Sequence, residues 1–278
     1  MRLAASRLRD TALLESAPAK LSTERIHAVL LEILRTVMAA CDRHGVEVCM
    51  IGGGCLGLVR HGGFVPWDDD LDLAIRVADF PAFLRAMDDL PGHLQVHERP
   101  KRHNPTYQVV DMRTRITGGE ETNGAGLFVD IVPMMRWRSN ATKRLDNIVT
   151  RVTGMTTAPA RSRSRTVLKR VLMRLGVPGI VGWLGEKVLY PAFLRHDLAC
   201  DAASTGIVSG AYGCQWVGRF DHDVVYPLRR TSFCGVEVSV PNDLHAFLVA
   251  RYGEGYMVPP DEKSRWKHFE SASEVGLP

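Results

Sequence analysis

The chain predicts an α+β fold, and three runs of residues carry that expectation. Ile26, Val29, Leu30, Ile33, Leu34, Val37, Met38 and Cys41 recur at helical spacing between Ser22, which can cap a helix, and Gly45. Leu71, Leu73 and Ile75 alternate with Asp70, Asp72 and Ala74, the period of a strand with one apolar face. Leu127-Phe128-Val129-Asp130-Ile131-Val132-Pro133 is a short apolar run with one acid in its middle, expected to be a strand that its proline ends.

The remaining elements follow in order. Residues 46–51 predict the first strand, and Gly52-Gly53-Gly54 then opens a short helix through Arg60. A helix over 80–90 begins near Asp79 and Pro81, and strands are expected at 94–97 and 107–112. Residues 233–241 alternate like a strand, with Val236, Val238 and Val240 on one face; Asp243 and Leu244 start a helix that Gly253 stops at Tyr252. These elements suggest a loose leader over 1–20, a catalytic core over 21–140, a basic helical insertion over 141–194 and a mixed C-terminal lobe over 195–278 that completes the substrate pocket.

Composition narrows the class of function. With 278 residues, 45% of them hydrophobic, the chain can bury a substantial core in one or two domains. Thirty-five basic against 31 acidic residues leave a formal charge of +4, which suits an anionic substrate. That balance, with few aromatics and none interleaved with basic clusters, gives no sign of nucleic-acid binding. The six cysteines form no C-x-x-C pair, so a structural zinc site is not expected. The N-terminus lacks a secretory apolar core and the apolar runs are too short to span a bilayer. Free thiols in the cytoplasm are the expectation.

The chemistry concentrates between Ile51 and Asp72. A backbone N–H can approach a phosphate closely only where side chains are absent, and Gly53 and Gly54 supply such a turn. Asp70 and Asp72, two apart on a strand, project from one face and repel each other unless a cation lies between them. A solvated acidic turn is the bland reading of this run. A calcium loop is the sharper rival, since Asp68, Asp70 and Asp72 fall at its positions 1, 3 and 5. Its sixth position requires glycine and is Leu73, and its twelfth requires glutamate and is Asp79, so that reading fails. Asp130 is costly inside an apolar strand unless it is hydrogen-bonded, paired or bound to metal. Beside Asp70 and Asp72 it would complete a three-carboxylate site for one or two cations, suited to phosphoryl chemistry.

These residues resemble the signature of LicD-type proteins, relatives of fukutin and fukutin-related protein. The resemblance lies in the run from Gly53 to Asp72, in Phe128-Val129-Asp130-Ile131-Val132-Pro133, and in a closing pattern of Val240-Pro241-Asn242-Asp243, Phe247-Leu248, Arg251-Tyr252-Gly253 and Tyr256 to Pro260. It covers the chain from about residue 25 to His268. It implies a nucleotidyltransferase-type mixed β-sheet flanked by helices, with transfer of a phospho-alcohol from a CDP-activated donor to a glycan or lipid-linked glycan. It also implies that Asp70, Asp72 and Asp130 hold Mg²⁺ or Mn²⁺, and that Gly53 and Gly54 bind phosphate. Cys55 stands where the family commonly has a hydroxyl residue, and a thiol is the weaker donor.

Other residues are candidates for binding. Arg60 and His61 follow the glycine turn by one short helix and can reach a donor phosphate. Tyr252, Tyr256, Trp266 and His268 can line the acceptor or head-group pocket, where aromatics would cage a quaternary ammonium. Lys263, Arg265 and Lys267 can meet a diphosphate; packing of a C-terminal lobe and solvated bases are the plainer readings. Residues 161–174 read as a basic amphipathic helix, either an ordinary surface helix or a patch for an anionic membrane surface on the inner face. Two rival functions remain: a nucleotidyltransferase releasing pyrophosphate, and a non-catalytic glycan- or partner-binding protein.

Overall fold

A computed structural model describes residues 19–98, 107–118, 126–154, 171, 174–199, 206–211 and 217–275. Helix α1 (Thr23–Arg43) is capped by Ser22, whose side chain accepts from the Arg25 amide, and its apolar stripe from Ile26 to Cys41 is buried as expected. Strand β1 (Val48–Ile51) runs into α2 (Gly52–His61), which Gly62 ends in the left-handed conformation. β2 (Asp72–Arg76) follows, then α3 (Phe80–Ala86), β3 (Leu94–Glu98), β4 (Tyr107–Asp111), β5 (Thr114–Thr117) and β6 (Phe128–Trp137). The helix expected over 80–90 is α3 with a single 3-10 turn on each side.

Helices α4 (Asn140–Gly154), α5 (Val177–Leu184) and α6 (Tyr190–Ala199) come next, the last two joined by a π-helical turn at Gly185–Leu189. The chain closes with β7 (Ile207–Gly210), β8 (Arg219–Asp221), β9 (Arg229–Phe233), β10 (Val236–Val240), α7 (Leu244–Tyr252) and β11 (Ser271–Glu274). The basic residues Arg161 to Arg170 and most of the leader lie outside the described residues.

Seven strands form one mixed sheet in the order β1-β2-β6-β4-β3, with β7 and β8 continuing beyond β6. β2 and β6 pair in parallel, and the other pairs are antiparallel. The fold is therefore α+β. α1 lies against β4, β6 and β10, and one apolar core reaches from Ile26 to Ala272. The C-terminal region contains strands and a helix and shares this core and sheet.

Two local expectations are corrected. Pro133 does not end its strand: β6 continues to Trp137 with every residue buried. β6 pairs with β4 through Ile131 and with β7 from Met134, so Pro133 stands where the neighbour changes. A missing N–H there removes no ladder bond, and its carbonyl still accepts from Ala211. Phe233 belongs to β9, because Cys234 and Gly235, with φ of 48° and 79°, make a two-residue hairpin turn before β10.

Candidate active site

The acid cluster lies where β1, β2 and β6 start or end side by side. Asp72 opens β2 with Ile51 as its partner in β1 and Asp130 as its partner in β6. Asp70 precedes β2 by two residues, so the period of two holds even though the strand begins later than expected. One oxygen from each of Asp70, Asp72 and Asp130 lies within 4.8 Å of the others, and all three side chains are buried. Gln108 of β4 donates to Asp130 Oδ1 at 2.9 Å and holds that carboxylate toward the cluster.

Burial and neighbouring carboxylates raise the pKa of Asp70 and Asp72. Burial pushes Asp70 up to about 7; His268 opposes the rise, while Asp68, Asp130 and Asp69 add to it. Burial lifts Asp72 well above the carboxylate range, with Asp70 and Asp130 contributing. Oxygen donors alone, crowded and desolvated, suit a hard divalent cation, so the cluster can hold a metal ion.

The glycines serve this cluster in a way the sequence did not suggest. Gly52 has φ of +60°, and a Cβ there would stand 2.5 Å from Asp72 Oδ2. A Cβ on Gly53 would run into Asp68 Oδ2, while one on Gly54 would strike Met50 and Leu71 in the core. Two carboxylates thus rest on a bare turn that also starts a ten-residue helix, and its N-cap Ile51 offers no side chain to the first amides. Cys55 is fully buried and its Sγ donates to the Met50 carbonyl at 2.9 Å, so the thiol faces the core instead of the turn's surface.

A C-terminal segment crosses the mouth of the cluster. The backbone amide and Nδ1 of His268 meet Asp69, Nδ1 at 2.9 Å, and Nε2 meets Asp70 Oδ2 at 3.2 Å. Burial opposes charging of this ring, but the bond to Asp69 and the charges of Asp70, Asp69 and Asp68 push its pKa up to about 9. Two guanidinium groups approach the Trp67 ring, Arg60 at 5.6 Å and Arg265 at 4.1 Å from its centre. Arg60 donates to His61 Nε2 and to the Tyr256 carbonyl, and His61 meets Trp67 edge-on at 5.9 Å.

The sequence of residues 45–157 matches a family described as "LicD/FKTN/FKRP, nucleotidyltransferase domain". Over that stretch the chain is similar to the LicD family. Over 272 residues it is 24% identical to the lipopolysaccharide cholinephosphotransferase LicD of Haemophilus influenzae, spanning 91% of this chain and 98% of that one. The ribitol 5-phosphate transferases FKRP of mouse and human are each 42% identical over 50 residues, 18% of this chain and 10% of theirs.

The family-matched stretch 45–157 encloses the glycine turn and all three acids. The C-terminal candidates lie beyond it and differ in their placing. Tyr252 is close enough to Asp72 and Asp68 for their charges to add to the rise that burial gives its phenol pKa. Tyr256 is buried, its hydroxyl bonded to His245 Nδ1 at 3.0 Å, so it supports Arg60 through its carbonyl. Lys263 sits exposed in a 3-10 turn, while its neighbour Arg265 reaches Trp67. Sequence reading assigned no role to Asp68, Asp69 or Trp67. All three stand within the tryptophan–aspartate run, and period-two alternation drew the eye to Asp70 and Asp72 alone.

Proposed function

We propose that this chain is a phosphotransferase of phospho-alcohols, acting through a nucleotidyltransferase-type core. It moves phosphocholine or a polyol phosphate from a CDP-activated donor to a sugar hydroxyl of a cell-surface glycan. The observation that carries the reading is the buried triad of Asp70, Asp72 and Asp130 against a glycine turn, in a domain whose relatives are named for transfer of cholinephosphate and ribitol 5-phosphate.

Held by the three carboxylates, Mg²⁺ or Mn²⁺ would neutralise charge on the donor's diphosphate. The chain's own residues do the rest. First-turn amides of α2 bind phosphate oxygens, and Arg60 and Arg265, fixed by Trp67, hold the diphosphate from the open side. Asp130, held by Gln108, accepts the proton of the sugar hydroxyl. The hydroxyl oxygen bonds to the phosphorus that carries the alcohol, the bond from that phosphorus to the CMP oxygen breaks, and CMP leaves. Tyr252 and Trp266, the latter 75% exposed, offer ring faces to the head group.

The test is a panel of CDP-alcohols with Mn²⁺, the nucleotide product being identified by chromatography. CMP from one member of the panel supports the reading. Pyrophosphate release from a nucleoside triphosphate, with no CMP from any CDP-alcohol, would move the chain to nucleotidyl transfer.

A further inference from the structure

Among the described residues, large exposed apolar side chains gather on the helices that follow β6. Leu175, Ile180, Trp183 and Leu198 are each about 60% exposed or more. Ile180, Trp183, Leu184 and Val188 fall at i, i+3, i+4 and i+8, one stripe running from α5 through the π-helical turn. α5 packs against α4 on its other side, so this helix turns its apolar face to solvent, the reverse of an ordinary surface helix. Exposed bases among the described residues of these helices include Arg144, Arg174, Lys187 and Arg195, and Lys187 falls within the stripe itself.

We propose that this face docks the chain in the interface of an anionic lipid bilayer. The stripe is too short to span: among the described residues no helix is long and apolar enough to cross a membrane. Lying flat, it would bury Ile180 and Val188 at the acyl boundary and place Trp183 at headgroup depth, where tryptophan partitions best. The bases then meet lipid phosphates. A second copy of the chain fits the face worse, because a two-fold contact would set these bases against their own counterparts.

The experiment is co-sedimentation of the full chain at low salt with vesicles of phosphatidylcholine, alone or with about a third phosphatidylglycerol. The chain should sediment with the anionic vesicles and be released by salt. Ile180→Ser with Trp183→Ser should lower partition about tenfold or more, and Lys187→Glu several-fold, with unchanged melting temperatures because all three side chains are exposed. Absence of wild-type binding to anionic vesicles would overturn the proposal, as would undiminished binding by the double variant. So would sedimentation velocity showing a wild-type dimer that the double variant dissolves.

Discussion

Asp72 is the residue on which the site turns. It touches the glycine turn on one side and faces Asp130 across the parallel ladder on the other. Asp72→Ala should lower transfer by on the order of 10³-fold or more while leaving the circular dichroism spectrum intact, and an undiminished rate would refute its role. Gly52→Ala tests the turn instead. The new methyl must displace Asp72 Oδ2 from a backbone held at φ +60°, and a shift of about an ångström should cost roughly 10²-fold in turnover. The acids were legible because a buried carboxylate is expensive and alternation fixed which of them shared a face. The glycines have a second reason to be bare that the sequence did not reveal: Asp72 and Asp68 lie against Gly52 and Gly53. His268 was a pocket candidate in the sequence, but nothing local announced its bond to Asp69, which crosses 199 positions.

Among the elements, α1 and β6 carry the site. α1 covers the sheet with a stripe that includes Leu30, Ile33 and Leu34, all fully buried. Leu34→Ala should cost about 2–5 kcal/mol by denaturant unfolding while activity per folded molecule stays near wild type, since Leu34 touches no reacting group. β6 holds Asp130 near one end and Trp137 at the other, so it ties the acid cluster to the helices that follow. Sequence pattern placed α1, β1, α2, β2 and α7 within a few residues, because a cap or a glycine marks an end of each helix among them. It failed at Pro133, because a proline harms a strand only where its missing N–H would have met a neighbour, and pairing partners are not written in the local sequence. The parallel union of β2 and β6 was hidden for the same reason.

At the scale of the whole molecule, the proposed metal site should couple stability to pH and to metal. The folded pKa of Asp70 is raised from 3.8 to about 7, so its stabilising share is present below pH 4 and is lost as pH rises through 7. His268 is raised from 6.5 to about 9, so its share is lost between those values as pH rises. Both act in one direction. The melting temperature of metal-free protein should fall from pH 5 to pH 8, and Mn²⁺ at pH 8 should restore it, because a ligand of the folded state alone stabilises that state. A metal-free protein as stable at pH 8 as at pH 5 would contradict that linkage. Most direct of all is calorimetric titration of Mn²⁺ into the wild-type chain and into Asp72→Ala at pH 7.5. The account predicts saturable binding by the wild type that the substitution removes; no binding by the wild type, or equal binding by both, would contradict it.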